Sequence, residues 1–188
     1  MRKRSIKTKI KMINAELARA VLRHADTNNP LYKVVMYSLF PCGKRIRPLL
    51  CVEACEVCGG NIKSAMHAAI AVELIHGFSL IHDDLPCMGD DDYRRGKLSC
   101  HKKFGEASAV LAGDAMLAMA FAIIAEIKDE KILSATLRLV ARASGIFGMT
   151  GGQAYDIKYT KSRKIGEIKS LINSLKTGEL FTASILIS

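Results

Sequence analysis

The feature that most constrains the fold is the segment 62–84, where apolar residues recur at helical spacing over a long stretch of the chain. Pro86 and Gly89 follow this segment, and both residues disturb a helical backbone. Similar spacing predicts other helices at 5–25, 32–39, 48–58, 106–127, 130–147, 149–159 and 166–187, with a polar loop at 90–104. Because no alternating strand pattern occurs, the sequence predicts an all-α helical bundle. The 188 residues are enough for one domain, 1–188, with a substantial core.

The charge of the chain is strongly basic, at a formal +10, and much of it lies in the N-terminal segment 1–11. Such a balance suits a nucleic acid, an anionic membrane surface or a polyphosphate substrate, although a solvated basic face is the simpler interpretation. No nucleic-acid-binding motif occurs, so we predict no nucleic acid partner. The segment 116–127 is apolar but short and follows Asp114, which predicts a buried helix and no transmembrane segment.

The cysteine pattern indicates buried thiols in a reducing compartment. Cys51, Cys55 and Cys58 fall at i, i+4 and i+7, which predicts one buried helical face. The single CxxC has no second pair to complete a zinc site. The basic start lacks the apolar core of a secretory leader, so we expect a cytoplasmic protein, with a plastid-like compartment as the alternative.

The candidate chemistry lies just after the long apolar segment, where carboxylates are crowded together. They are Asp83, Asp84, Asp90, Asp91 and Asp92. Carboxylates this close repel one another, and a hard divalent cation relieves the repulsion. A solvated acidic loop is the alternative, but it does not explain why His76 lies two helical turns before Asp83, on the same helical face. The sequence therefore predicts a magnesium site, and the ligand spacing of an EF-hand is absent.

Two groups of basic residues are suited to phosphate oxygens. Arg94 and Arg95 directly follow the carboxylates and offer planar donor forks. Lys44 and Arg47 are three residues apart at a predicted helix start, where the helix amides add positive potential. A basic helix start on the surface is the alternative for the second group, but its occurrence together with the aspartates favours a diphosphate site.

Together these motifs resemble the all-trans polyprenyl diphosphate synthases, which include the farnesyl and geranylgeranyl diphosphate synthases. The resemblance covers residues 30–188 in the family's order. Its segments are 43–48 (GKRIRP), 79–88 (SLIHDDLPCM), 91–96 (DDYRRG), 104–106 (FGE), 111–114 (LAGD), 151–153 (GGQ) with Asp156, and 176–177 (KT). The resemblance implies a bundle of mostly antiparallel helices around a central cavity, isoprenoid synthase-like in fold, and a homodimer when complete.

The resemblance also implies a role for each matching residue. Isopentenyl diphosphate would be bound by Lys44, Arg47, His76 and Arg95. The allylic diphosphate would be bound by Arg94, Lys176 and Thr177. Magnesium, with manganese as the alternative ion, would be held by Asp83 and Asp84, while Gln153 and Asp156 would lie near the reacting groups. The implied reaction is ionisation of the allylic diphosphate, attack by the isopentenyl double bond and loss of a proton.

The sequence departs from the family pattern in two places. Gly89 occupies the position of the third aspartate in the family's first aspartate-rich motif, and Asp90 lies one residue later as a substitute metal ligand. The family's second aspartate-rich motif belongs to a C-terminal third that has no counterpart up to Ser188. We therefore expect a partial domain with low turnover. The alternative is a non-catalytic partner subunit or relic of the same fold.

The residues just before the aspartate pair bear on product length. In the family, bulk at this point limits how deep the prenyl tail can grow. Phe78 lies five residues before Asp83 and Ser79 lies four before it. An aromatic floor at Phe78 favours farnesyl over geranylgeranyl diphosphate, although simple helix packing of Phe78 is the alternative.

Overall fold

The computed structural model describes residues 5–40, 43–160 and 165–187, and these residues are almost entirely helical. The helices are α1 (Ile6–His24), α2 (Pro30–Leu39), α3 (Ile46–Val57), α4 (Ile62–Asp83), α5 (Cys100–Phe104), α6 (Glu106–Ile124), α7 (Glu130–Ser144), α8 (Met149–Tyr159), α9 (Ile165–Asn173) and α10 (Glu179–Leu186). A π-helical segment, Ser174–Gly178, links α9 to α10. The all-α prediction is confirmed.

Helix α4 is the central element of the bundle. It is buried along most of its length and packs chiefly against α6 and α3. A helix that is apolar all round belongs in a core rather than at a surface. Gly77 leaves room for the Met116 side chain of α6, because a Cβ at this position would lie 2.3 Å from Cε of Met116. The one buried charge within α4 is Glu73, among the residues described.

Both ends of α4 are fixed by local hydrogen bonds. At its start, the Asn61 side chain accepts a hydrogen bond from the amide of Lys63. At its end, the amide of Gly89 donates to the carbonyl oxygen of Asp83 at 2.8 Å, and the amide of Asp84 donates to that of Leu80. This closed turn ends the helix between Asp83 and Asp84, as the sequence predicts to within one residue.

The loop prediction for residues 90–104 is wrong from Tyr93 onward. A two-stranded antiparallel hairpin, β1 (Tyr93–Arg94) paired with β2 (Lys97–Leu98), and the short helix α5 occupy that stretch. Strands of two residues are too short to show an alternating pattern. The predicted continuous helix at 166–187 is also interrupted by the π-helical segment. Its sequence contains nothing that marks the change in hydrogen bonding, apart from Gly178 at its end.

The predicted buried cysteine face is confirmed for two thiols and wrong for the third. Cys51 and Cys55 are buried, whereas Cys58 is exposed because α3 ends at Val57 and the helical face stops there. Burial raises the pKa of the Cys51 thiol to about 12, so this thiol is unreactive at neutral pH. Cys42 lies outside the described residues.

The N-terminal segment 1–11 is more than a solvated basic face. Residues 1–4 lie outside the described part of the chain, but Lys9 is buried in α1. Its ammonium group donates to Glu53 at 2.7 Å and also pairs with Glu56, both on α3. The charged side chain of Lys9 therefore links α1 to α3 through its ion pairs with these two glutamates.

By length and composition alone, three helical stretches of the described chain could cross a membrane. They are Ile62–Asp83, Glu106–Ile124 and Glu130–Tyr159, with 61%, 44% and 33% of their most apolar windows buried in the bundle. The segment 116–127 does form the buried helix end expected from the sequence, with Met116, Ile123 and Ile124 in the core. The absence of a transmembrane segment stays a prediction.

Candidate active site

The two aspartates at the end of α4 have different surroundings. Asp84 is buried and accepts hydrogen bonds from Nε of Arg94 at 2.9 and 3.2 Å, with a further contact from Nη2. Burial raises the pKa of Asp84, while the Arg94 hydrogen bonds act in the opposite direction. The same hydrogen bonds raise the pKa of Arg94, so its guanidinium stays charged.

Asp83 faces the opposite side and connects three elements. Its Oδ1 accepts a hydrogen bond from Nε2 of Gln153 at 2.7 Å and lies 3.4 Å from Nζ of Lys176. Lys176 also donates to Asp156 at 2.8 Å. Burial acts to lower the pKa of Lys176, but its contacts with Asp156 and Asp83 outweigh that effect and raise it. Helix α4, helix α8 and the π-helical segment therefore meet at one charged cluster.

Gly152 permits this meeting of elements. A Cβ at Gly152 would lie 2.3 Å from the backbone nitrogen of Lys176 and 2.7 Å from its Cα. Only a residue without a side chain lets α8 approach the π-helical segment this closely. Gly152 belongs to the GGQ segment on which the family resemblance partly rests. The structure gives the steric reason for a glycine at this position. π-Helical turns are frequent at functional sites, and this one carries Lys176 and Thr177.

A second wall is basic and is built around His76. Lys44, Arg47, His76 and Arg95 line a common depression of about 400 Å³. Burial lowers the pKa of Arg47, and its guanidinium stacks 4.4 Å above the ring of Phe181. The Nε atom of Arg47 is buried and has no hydrogen-bond partner among the described residues. A partly buried arginine with an unused, buried donor is suited to an incoming anion.

Sequence reasoning missed the ion pair that supports this wall. Arg45 and Glu73 are joined at Nη1 and Oε1, and their side chains are only 1% and 4% exposed. Arg45 also donates to Asn14 at 2.8 Å and to the carbonyl oxygen of Leu39 at 2.7 Å. Because Arg45 lies between Lys44 and Arg47, this anchoring fixes the backbone that carries both. Glu73 is, histidines apart, the single acidic or basic residue in the interior of the apolar helix α4, and this is the signal that could have revealed the pair.

An apolar cavity of about 390 Å³ lies between the two charged walls. Its lining includes Arg47 and His76 of the basic wall as well as Asp83, Lys176, Thr177 and Gln153 of the charged cluster. The helical-face argument that placed His76 with Asp83 is thus consistent with the structure. Phe78 and Ser79 also line the cavity, together with Met149 and Ile157 of α8. The arrangement offers charged groups for an anion and an apolar space for its tail.

The Phe78 ring is held in place by its neighbours. It makes an edge-on contact with His82, with ring centroids 4.9 Å apart and planes at 78°. The Nε2 atom of His82 lies 3.1 Å from the carbonyl oxygen of Val110 on α6. Ser79, whose hydroxyl donates to the carbonyl oxygen of His76 at 2.8 Å, adds no bulk.

The structure does not bring Asp90 into a cluster with Asp83 and Asp84. Asp90 has a left-handed backbone, with φ of 52°, and its carboxylate lies within 4.8 Å of Asp92 and a ring nitrogen of His101. Among the described residues, this trio alone places three metal-ligand atoms so close together. At the end of α4, the two carboxylates that could hold a divalent ion are Asp83, which is partly exposed, and Asp84, which Arg94 now occupies. Two carboxylates beside a diphosphate are a donor set that magnesium accepts.

The surroundings of His76 predict a pH effect on stability. Burial, and then the charges of Arg47 and Arg95, lower the pKa of His76 from 6.5 to about 3. His76 therefore takes up a proton on unfolding between these values, so its contribution destabilises the fold as the pH falls from 6.5 toward 3. In urea denaturation across this window, we expect the free energy of unfolding to fall more steeply for the wild type than for His76→Gln, which cannot titrate. Equal slopes would contradict a partly buried imidazole that stays neutral in the folded state.

Comparisons with known proteins agree with these features. The Polyprenyl synthetase family model matches residues 28–188. The chloroplastic geranylgeranyl pyrophosphate synthase of Capsicum annuum is 46% identical over 162 residues, covering 84% of this chain and 44% of that protein. The farnesyl diphosphate synthase of Micrococcus luteus is 43% identical over 166 residues, covering 87% and 57%. The chain thus spans about half the length of these relatives.

A solved structure matches the fold. The crystal structure of a geranyltransferase from Legionella pneumophila matches with a TM-score of 0.91 at 35% identity, covering 97% of this chain and 66% of that chain. The isoprenoid synthase-like bundle expected from the sequence is therefore confirmed. The family model covers most of the residues, and the helical fold is shared with a solved structure at 35% identity. The chain therefore belongs to the polyprenyl synthetase family, as its motifs indicated.

Proposed function

We propose that the protein condenses isopentenyl diphosphate with an allylic diphosphate, dimethylallyl or geranyl, to give a short trans-prenyl diphosphate. The observation that supports this most strongly is the shared cavity, whose lining includes Asp83, Lys176, His76 and Arg47 together with apolar side chains. A diphosphate needs cations and a chelated metal, and a prenyl tail needs apolar walls. This cavity offers both within one bundle.

The allylic diphosphate would bind on the side of Asp83. Lys176 and Thr177 would contact its oxygens, and Arg94 would do so after exchanging part of its contact with Asp84. Magnesium, or manganese in its place, would be held by Asp83 and Asp84 and would stabilise negative charge on the leaving diphosphate. Gln153, bonded to Asp83, would fix the orientation of that carboxylate.

Isopentenyl diphosphate would bind on the basic wall. Lys44, Arg47 and Arg95 would take its diphosphate, and neutral His76 would donate one hydrogen bond without adding charge. The C–O bond of the allylic partner breaks, the isopentenyl double bond attacks the resulting cation, and a proton leaves the new chain. The fixed charges of the two walls favour this charge separation because they need not reorganise as it develops.

Farnesyl diphosphate is the proposed product, with geranylgeranyl diphosphate as the alternative. The braced ring of Phe78 lines the cavity, and we infer that it would limit the space available to a growing prenyl tail. A steric floor of this kind stops growth more sharply than a gradual loss of apolar contact does. The relatives include synthases for both products, so product analysis decides between them.

The test combines binding with turnover. Calorimetry should show that isopentenyl diphosphate binds, and that an allylic diphosphate analogue binds only with Mg²⁺. A radiolabel condensation assay, with chromatography of the products, then measures turnover and chain length. The proposal is abandoned if neither diphosphate binds.

The alternative function is that of a non-catalytic partner subunit, and Gly89 favours it. The residue lacks the carboxylate that the family pattern has at this position, and the structure turns Asp90 toward Asp92 and His101. Magnesium-dependent diphosphate binding without condensation would support this alternative. A homodimeric assembly and a cytoplasmic location remain part of the proposal carried over from the sequence.

The missing carboxylate at Gly89 can be tested with a matched pair of variants. A Cβ here would lie 2.7 Å from the carbonyl oxygen of Asp83, so Gly89→Asp and Gly89→Ala both shift the closing turn. The alanine variant measures that strain alone. We expect Gly89→Asp to bind the Mg²⁺ complex of an allylic diphosphate analogue about tenfold more tightly than Gly89→Ala, or about 1.4 kcal/mol. Equal affinities in calorimetry would show that position 89 does not reach the metal.

A further inference from the structure

A second group of acidic side chains lies apart from the Asp83 cluster, where the loop after α4 meets α5. One carboxylate oxygen each from Asp90 and Asp92 and one ring nitrogen of His101 lie within 4.8 Å of one another. The two aspartates are exposed, whereas His101 is only 6% exposed. Two exposed ligands beside one buried ligand would let a site close around an ion without disturbing the core.

The His101 ring supplies an independent indication of a ligand. Its Nδ1 atom lies 3.1 Å from Oγ of Ser99, whereas its Nε2 atom is buried and has no hydrogen-bond partner in the described parts of the chain. Buried polar atoms almost always have a partner, so an orphaned nitrogen calls for an explanation. A metal-binding histidine has this pattern, with one nitrogen held by a neighbouring group and the other free to ligate.

We propose that Asp90, Asp92 and His101 form a binding site for a divalent transition-metal ion, separate from the Asp83 and Asp84 carboxylates. The ligand set is one imidazole and two carboxylates. Imidazole favours zinc and its neighbours over magnesium or calcium, and carboxylates accept zinc as well. Zinc is therefore the ion to which the site is assigned.

The geometry requires only a modest closure. Zinc bonds to nitrogen and oxygen are about 2.0–2.2 Å long, so tetrahedral ligand atoms lie about 3.3 Å apart. At the upper limit of the present separations between ligand atoms, the exposed carboxylate oxygens would have to move about 1.5 Å closer to the ring nitrogen and to each other. Asp92 currently pairs with Lys102 at 2.8 Å, and the ion would replace that exposed contact.

The proposed ion would join the two ends of the hairpin. Asp90 and Asp92 precede β1, and His101 follows β2 in α5. The hairpin between them carries Arg94, which is bonded to Asp84, and Arg95, whose guanidinium lies against Gly43. An ion at this point would fix the base of the segment that presents both arginines, whether or not the chain catalyses condensation.

The test uses the whole chain, with its histidines labelled with nitrogen-15, titrated with Zn²⁺ in the absence of any diphosphate. Ring-nitrogen resonances distinguish His101 from His24, His67, His76 and His82. Zinc bound to the exposed thiols of Cys58 and Cys87 would not shift these resonances. We expect a saturable shift of the His101 ring at one equivalent. Asp90→Asn should weaken it more than tenfold, because one of three ligands is lost.

The control is Asp91→Asn, which removes a neighbouring exposed carboxylate outside the trio and should leave the His101 shift and its midpoint unchanged. Asp90 is itself exposed, so its variant tests the ligand without a large folding defect. The proposal is overturned if another histidine responds instead of His101, if no ring responds, or if the Asp90 and Asp91 variants behave alike. None of these outcomes bears on diphosphate binding.

Discussion

Replacing Glu73 with glutamine should lower the free energy of unfolding by about 3–5 kcal/mol, because it leaves the guanidinium of Arg45 buried without a counter-charge. The side chains of this pair are 1% and 4% exposed, so water cannot take the place of the lost carboxylate. The remaining contacts of Arg45, to Asn14 and to the carbonyl oxygen of Leu39, are with neutral groups. Urea denaturation, monitored by circular dichroism, measures the change.

The matched control for this variant is Glu16→Gln. Glu16 pairs with Arg19 and Arg23 on the surface of α1, where such contacts contribute about 0–1 kcal/mol. A second comparison, the double variant Arg45→Met with Glu73→Leu, should recover part of the loss, since it leaves no buried charge behind. A cost below about 1 kcal/mol for Glu73→Gln alone would mean that the pair is not desolvated as the structure has it.

The Arg45–Glu73 pair also shows what the sequence could and could not predict. The apolar spacing of 62–84 was enough to predict a buried helix, and Glu73 is, histidines apart, the one acidic or basic residue in its interior, between Lys63 and Asp83. Its partner lies 28 residues earlier, and the chain has 28 lysines and arginines to choose from. Periodicity predicts which face of a helix is buried, but not which residue on another helix that face meets.

The aspartate cluster could likewise be predicted from the sequence only in part. The helical repeat placed His76 and Asp83 on one face, and both residues do line the same cavity. The repeat could not predict the path of the chain beyond Asp84, because the helix ends there and Asp90 takes a left-handed backbone. Which carboxylates hold magnesium therefore stays a proposal. The short hairpin that brings Arg94 to Asp84 likewise could not be predicted from the spacing of residues.

The second large effect is expected from Gly152→Ala. The added Cβ would lie 2.3 Å from the backbone nitrogen of Lys176 and 2.9 Å from the carbonyl carbon of Leu175. These are backbone atoms that cannot rotate away, so α8 and the π-helical segment must separate. Overpacking of this kind costs about 1–3 kcal/mol of stability. The separation would also move Lys176 away from Asp83 and Gln153, whose contacts are 3.4 and 2.7 Å.

We therefore expect Gly152→Ala to bind the Mg²⁺ complex of an allylic diphosphate analogue at least about tenfold more weakly in calorimetry, or about 1.4 kcal/mol. Gly166→Ala is the control, because a Cβ at that helical glycine of α9 meets no atom within 4 Å and should stabilise the chain by about 0.5–1 kcal/mol. Isopentenyl diphosphate, which would bind on the opposite basic wall, should lose less affinity than the allylic analogue. Equal losses for both ligands would show that the variant has disrupted the bundle generally, and unchanged allylic affinity would show that Lys176 does not depend on this close helix contact.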